Sequence, residues 1–212
     1  MIETLVPVSA SAELFADVPE SAMYAIEAAV VAGAALERRR EFATVRYCAR
    51  RALRRLGVPA APIVPDADRA PRWPDGVVGS MTHCAGYRAA VVARTGELRG
   101  VGIDAEPHAA LPAAALDLIV GVDERERLRA LADAHGGLHW DRIAFCAKEA
   151  VYKAWFPLTR RWLDFADVSI VLCVDGTFRA ALRGAGPDGM DGRWLVGQGL
   201  VVAAASLRAR TP

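Results

Sequence analysis

The chain has 212 residues, 53% of them hydrophobic and 24% charged, with a formal net charge of +1 at pH 7. This length and composition predict one large globular domain, or two small halves, around a sizeable core. The near balance of charge excludes a general affinity for nucleic acid or membrane, and the most apolar stretches, residues 28–36 and 200–207, are too short to span a bilayer.

Residues 1–35 are alanine-rich and carry little pattern beyond a helix near 20–31. The start lacks a basic region followed by an apolar run, and Cys48, Cys84, Cys146 and Cys173 show no metal-binding spacing; reduced, buried thiols in a cytoplasmic protein are expected. From Leu36 the pattern sharpens. Phe42, Val45, Ala49, Ala52, Leu53 and Leu56 recur at helical spacing, with Gly57 at the cap and Pro59 beyond, predicting a helix over 37–56. Arg40, Arg50, Arg51, Arg54 and Arg55 point away from that stripe and read as a solvated face, whereas Arg38 and Arg46 fall inside it. An inward guanidinium needs an anion, either a buried carboxylate or a ligand, and spacing does not choose between them.

Residues 58–76, rich in Pro, Asp and Arg, predict a surface loop. Next, Ser80, Thr82 and His83 stand between Gly79 and Gly86, ahead of a strand over 87–94. A turn here could offer backbone N–H groups, hydroxyls and an imidazole to a phosphate; a plain strand connection with a core histidine fits as well. Thr95-Gly96 then turns the chain into a strand from Leu98. Residues two apart on a strand share a side, so Asp104 and Glu106 project together before Pro107 ends it. A divalent ion with oxygen ligands, completed by a third carboxylate, would explain the pair; an exposed acidic strand end is the alternative.

Helices are predicted at 112–118 and at 123–134, where Asp123 and Glu126 form a capping box. The next helix carries Phe145-Cys146-Ala147-Lys148-Glu149-Ala150-Val151-Tyr152-Lys153-Ala154-Trp155, with Asp141 as its cap and Pro157 as its stop. Phe145, Glu149, Tyr152 and Phe156 share one face, with Lys153 at its edge and Lys148 on the other flank. A carboxylate is thereby placed between two ammonium groups. An i,i+4 pair on a solvated helix would look the same, yet of 26 Lys+Arg only these two are lysine. Their clustering suggests a need for compact point charges, as at a phosphate-handling site. Strands follow near 167–174, 177–182, 194–196 and 200–207, and residues 208–212 read as a frayed tail. Helix followed by antiparallel strands occurs twice, which predicts an α+β fold of two similar halves, 1–106 and 107–212.

Val101-Gly102-Ile103-Asp104-x-Glu106 and Lys148-Glu149-Ala150-x-x-Lys153 resemble the paired signatures of the 4′-phosphopantetheinyl transferase superfamily, and Gly79-Ser80-Met81-Thr82-His83-Cys84 resembles its upstream motif. With Arg38, the helix over 41–53 and Trp73-Pro74-Asp75-Gly76, the likeness is to the long single-chain Sfp/EntD type, nearest the actinobacterial PptT-like enzymes, over roughly residues 36–165. The resemblance implies a pseudo-two-fold α+β fold with coenzyme A in the cleft between the halves. It implies transfer of the phosphopantetheine arm to a serine of an apo acyl or peptidyl carrier protein, with release of 3′,5′-ADP, in fatty-acid, polyketide, nonribosomal-peptide or siderophore synthesis.

On that resemblance, Asp104, Glu106 and Glu149 would hold Mg²⁺ or Mn²⁺ on the coenzyme pyrophosphate, and Lys148 and Lys153 would balance its charge. Glu149, directly or through a metal-bound water, is the candidate base for the carrier serine, and Lys153, then Lys148, would steady or protonate the leaving phosphate. Arg38, Arg46, His83, Ser80 and Thr82 would contact the phosphates of the 3′,5′-ADP half. Relatives of this type often carry lysine before the Trp-Pro pair, where this chain has Pro65, Arg69 and Arg72; Arg69 is the candidate partner. Residues 111–119 are expected either to dock a carrier helix or to pack in the core, and the two-half layout implies a monomer. Two rivals stand beside this reading: a metal-dependent hydrolase of coenzyme A, and a coenzyme- or carrier-binding module without chemistry. The complete set Asp104, Glu106, Glu149, Lys148 and Lys153 ranks the second rival last.

Overall fold

The computed structural model describes residues 1–6, 8–184 and 186–209. The first part of the chain supplies β1 (Ala10–Leu14), α1 (Ala25–Val30), α2 (Leu36–Arg55), β2 (Val77–Cys84) and β3 (Tyr87–Arg94). The rest supplies β4 (Leu98–Pro107), α3 (Ala113–Ile119), α4 (Val122–Ala134), α5 (Trp140–Thr159), β5 (Val168–Leu172), β6 (Thr177–Leu182), β7 (Gly189–Gly197) and β8 (Leu200–Arg208). They form a three-stranded sheet, β1-β3-β2, and a five-stranded sheet, β4-β8-β7-β6-β5, each antiparallel throughout.

Each sheet carries one long helix. Cys48, Ala49, Ala52 and Leu53 of α2 pack on Ala12, Ala90 and Val92 of the small sheet. On the large sheet, Ala147, Ala150, Val151 and Ala154 of α5 pack on Val201, Ala203 and Ala205. A third cluster lies between the sheets, where Val91 and Ala93 meet Ile103, Ala105, Val202 and Ala204. β3 is therefore covered on both faces, which accounts for its unbroken apolar run from Ala89 to Ala93. Small residues on both long helices let helix and sheet backbones approach closely.

The closest approach is at Gly102. A Cβ there would lie 1.9 Å from Ala150 O and 2.5 Å from Ala154 N, both backbone atoms of α5. Gly102→Ala is expected to force α5 off β4 at a cost at or above the usual range of about 1–3 kcal/mol for overpacking, read as a lowered Tm. An unchanged Tm would mean that α5 shifts without penalty.

The strand β4 departs from the expected division into 1–106 and 107–212, which assigns it to the first half. Its ladder runs with β8, from Leu98 opposite Arg208 to Pro107 opposite Leu200, so it belongs to the large sheet. Its other edge faces β2, in the other sheet. There Ser80 Oγ accepts the Ile103 N–H at 3.0 Å and Thr82 Oγ1 accepts the Ala105 N–H at 3.1 Å. Hydroxyls thus satisfy edge donors that would otherwise be buried without partners. Residues 79–83, expected as a phosphate-facing turn, are strand, and the turn lies at residues 85 and 86.

Other local differences have local causes. Helix α2 spans residues 36–55 rather than 37–56, with Gly57 following at φ 72°. The expected 20–31 helix is a 3₁₀ turn at Glu20–Ala22 followed by α1. Arg50 is buried, not solvated: its Nη1 donates to both carboxylate oxygens of the fully buried Glu27, at 2.8 and 2.7 Å. Helix α5 continues through Pro157, which forfeits the backbone bond to the carbonyl of Lys153, and it ends two residues later, with Arg160 as its cap in the left-handed conformation. Asp141 lies inside its first turn and accepts the Leu111 N–H at 2.7 Å, while His139 holds the cap position. Gly121 caps α4, and Glu124, rather than Glu126, reaches back to its N–H. Cys48 and Cys146 are buried, but Cys84 is only partly covered and Cys173 is exposed. Of the expected tail, Arg208 ends β8, and residues 210–212 lie outside the described residues.

Candidate active site

Because β4 is pressed against α5, its two acids come to lie beside the middle of that helix. Asp104 is buried, with Oδ1 accepting from Lys153 Nζ at 2.6 Å and from Thr82 Oγ1 at 3.3 Å. Its Oδ2 is buried without a hydrogen-bond partner among the described residues. Glu106 Oε2 accepts from Arg142 Nη1 at 3.0 Å. Burial, and then the Asp104 charge, push both Glu106 and Glu149 above the usual carboxylate range, with Arg142 opposing at Glu106 and Lys153 at Glu149. At Lys153 burial works against the charge, but Asp104 and Glu149 outweigh it and hold the ammonium above the ordinary lysine value. Lys153 is thus held by the charges of Asp104 and Glu149, while Glu106, two residues along β4, is held by Arg142.

This donor set fits a hard divalent ion: three oxygen ligands that repel one another, one with an orphaned buried oxygen. Among the described residues no three such side chains already converge on a single point. Lys153 engages Asp104 through Oδ1 and Arg142 engages Glu106 through Oε2, so an ion would bind through the second oxygen of each carboxylate.

Lys148 is not part of this cluster, contrary to the expectation that it flanks Glu149 at the site. Its side chain is fully buried, and Nζ donates to Ile119 O at 2.7 Å, Glu124 Oε2 at 2.8 Å and Phe165 O at 3.1 Å. All three ammonium donors are used. Lys148 reaches only the wall of a pocket of about 150 Å³ behind Glu149, which Tyr152, Trp162, Leu163 and Phe165 also line.

A larger cavity of about 650 Å³ opens between the two halves. Arg38, Arg46, Arg69 and His83 line it from the first half, and Tyr152 and Lys153 from α5. Arg38 Nη1 lies 2.7 Å from His83 Nε2; a guanidinium can only donate, so that nitrogen accepts and the ring is neutral. Burial lowers the His83 pKa, and Arg38 reinforces the shift against the pull of Glu41. Arg46 stacks 3.3 Å over the Phe42 ring, donates to Ile63 O at 3.1 Å and is lowered by burial to about 10, which leaves it charged at neutral pH. Ser80 lines the cavity with its oxygen engaged at the strand seam, and the Thr82 hydroxyl is committed to Ala105 and Asp104. Both hydroxyls join β2 with β4, and Ser80 also lines the cavity.

Sequence reasoning passed over Arg142, Glu41 and Glu124. Arg142 was within reach, since it stands seven residues before Glu149 on the same helical face. Glu124 was not, because nothing local pairs it with Lys148.

The motifs, now assembled at one cleft, match two family descriptions: the 4′-phosphopantetheinyl transferase N-terminal domain over residues 26–93 and the 4′-phosphopantetheinyl transferase superfamily over residues 100–205. The chain belongs to the 4′-phosphopantetheinyl transferase superfamily. Among its relatives, the 4′-phosphopantetheinyl transferase Svp of Streptomyces mobaraensis is 48% identical, covering 99% of this chain and 90% of its own length. The 4′-phosphopantetheinyl transferase PptT of Mycobacterium tuberculosis is 50% identical, covering 92% of this chain and 90% of its own. A solved holo-[acyl-carrier-protein] synthase of Thermotoga maritima aligns with a TM-score of 0.42 and 20% identity over 53% of this chain and 65% of its own. As a 4′-phosphopantetheinyl transferase, the protein is an enzyme that moves phosphopantetheine from coenzyme A to carrier proteins. No helix among the described residues is long and apolar enough to cross a membrane.

Proposed function

We propose that the cavity between the halves receives the 3′,5′-ADP half of coenzyme A, and that the carboxylate cluster at its end performs the transfer. The observation that carries this reading is Lys153, which lines the cavity together with Arg38, Arg46, Arg69 and His83 and donates to Asp104 Oδ1 at 2.6 Å. Asp104, Glu106 and Glu149 would hold Mg²⁺ or Mn²⁺, which when bound supplies positive charge to the pyrophosphate as it breaks. Arg38 and Arg46 bring fixed charge to the phosphates, and neutral His83 can donate through Nδ1 while Arg38 holds Nε2. Glu149 takes the proton of the carrier serine as its oxygen attacks the pantetheine-bearing phosphorus. The bond to the second phosphate then breaks, and 3′,5′-ADP leaves with its charge met by Lys153. The mostly apolar pocket behind Glu149 suits the uncharged pantetheine arm. The partners would be apo acyl or peptidyl carrier proteins, met in the cytoplasm by a monomer.

The decisive test is the intact mass of an apo carrier protein incubated with the enzyme, coenzyme A and Mg²⁺, beside an Asp104→Asn control. One phosphopantetheine added to the serine, absent in the control and in excess chelator, is expected. Coenzyme A consumed without carrier would support a hydrolase instead.

Two further outcomes follow from the geometry. Because Glu106 and Glu149 hold protons above the ordinary carboxylate range, an incoming metal must displace them. Apparent Mn²⁺ affinity is therefore expected to rise as pH increases above the ordinary carboxylate range and to level off once both acids are ionised; a flat profile in a Mn²⁺ titration would remove these residues from the ligand set. The segment 111–119 divides its side chains: Ile119 and Leu111 pack inward, whereas Leu118 is 79% exposed. Leu118→Asp is expected to raise KM for the carrier severalfold while KM for coenzyme A stays constant; equal changes in both would assign the segment to packing.

A further inference from the structure

We infer that Arg142 is a positioning residue that holds Glu106 at the site and couples it to the loop following β4, an inference that rests on the proposed metal role of Asp104, Glu106 and Glu149. Arg142 lies in the first turn of α5 with 15% of its side chain exposed. Its guanidinium is divided among acceptors of a single segment. Nη1 donates to Glu106 Oε2 at 3.0 Å, Nε to Ala109 O at 3.0 Å and Nη2 to Ala110 O at 3.4 Å. The neighbouring residues of the turn hold the same segment: Asp141 accepts the Leu111 N–H at 2.7 Å, and the His139 N–H donates to His108 Nε2 at 3.1 Å.

The arrangement answers an electrostatic problem. Glu106 is a long, flexible side chain with 25% exposure, and the Asp104 charge repels it from the site. Left alone, its lowest-energy position is toward solvent. The Arg142 fork offsets that repulsion, and its two carbonyl contacts keep the guanidinium from following the carboxylate outward. A planar fork can meet three acceptors spread along one segment; a single ammonium at the end of a flexible stem cannot reproduce that geometry.

Two accounts of Arg142 predict opposite signs. If it acts only as a nearby positive charge, its removal should tighten the binding of another cation. If it positions Glu106, its removal should weaken that binding by about tenfold or more, the scale typical of residues that orient a metal ligand. The experiment is a Mn²⁺ titration of the enzyme in the presence of coenzyme A, followed by the electron paramagnetic resonance signal of free Mn²⁺, with Tm measured for each variant.

Arg142→Ala is expected to lose about tenfold or more in Mn²⁺ affinity, and Arg142→Lys, which keeps the charge without the fork, to remain weakened. Wild-type or tighter affinity in folded Arg142→Ala overturns the inference and leaves the metal reading intact. Should Arg142→Ala fail to fold, Arg142→Lys decides, and wild-type affinity in it is the overturning result. If the wild type binds Mn²⁺ no better than Asp104→Asn, the metal reading falls and this inference falls with it.

Discussion

Glu149→Gln is expected to lower kcat by about 10²–10⁴-fold, the range for loss of a positioned general base, with little change in Tm. The reason lies in where the carboxylate sits. Glu149 is half-buried on the wall of the smaller pocket, and burial together with Asp104 raises its pKa above the ordinary glutamate value, which strengthens it as an acceptor of the serine proton. Glutamine preserves the shape and removes the base. Single-turnover transfer to a carrier at saturating coenzyme A and Mg²⁺ separates this effect from binding: the chemical step should slow even when both are bound. Lys153→Ala provides a contrast, since it also removes the partner of Asp104 Oδ1 and should weaken both binding and turnover. If Glu149→Gln retained wild-type single-turnover rates, the base would have to be sought elsewhere.

Lys148→Ala is expected to act through stability instead, at about 3–5 kcal/mol, the cost of removing one member of a buried ion pair and leaving the other uncompensated. Glu124 would be that uncompensated member. It is buried, and although it also accepts the Ile170 N–H at 2.7 Å and the Gly121 N–H at 3.2 Å, no other cation is paired with it among the described residues. The pair joins α4 to α5 and, through the Ile119 and Phe165 carbonyls, fixes the end of α3 and the turn before β5. Denaturant unfolding should show the loss, and Glu124→Ala should match it. The double variant should cost much less than the sum of the two, because it leaves no lone charge. Activity per folded molecule should hold up far better in Lys148→Ala than in Lys153→Ala. Equal losses of turnover with unchanged stability would return Lys148 to the active site.

These two lysines show how far a linear reading reaches. Their rarity and clustering mark α5 as unusual, and helical spacing places Glu149 and Lys153 on the face that meets β4. The alternation of β4 likewise puts Asp104 and Glu106 on one side, and the stripe of α2 turns Arg38 and Arg46 toward the cavity. In each case the geometry is local: a period of a helix or a strand fixes the direction of a side chain, and the motif is short enough for that period to hold.

What remained hidden depends on partners distant in sequence. Lys148 needs Glu124, Arg50 needs Glu27, and the Ser80 and Thr82 hydroxyls need the edge of β4. Spacing shows which way such a group points, but not what waits there. A buried ammonium and a hydroxyl in a glycine-flanked run resemble ligand contacts, and a guanidinium off the apolar stripe resembles a solvated one, until packing supplies an internal partner. By itself the sequence determined the family motifs, the two long helices and the inward set of charges, because those follow from local periodicity. Only the tertiary structure decided which of those charges are satisfied within the fold and which face the cavity, because that depends on which elements burial forces together.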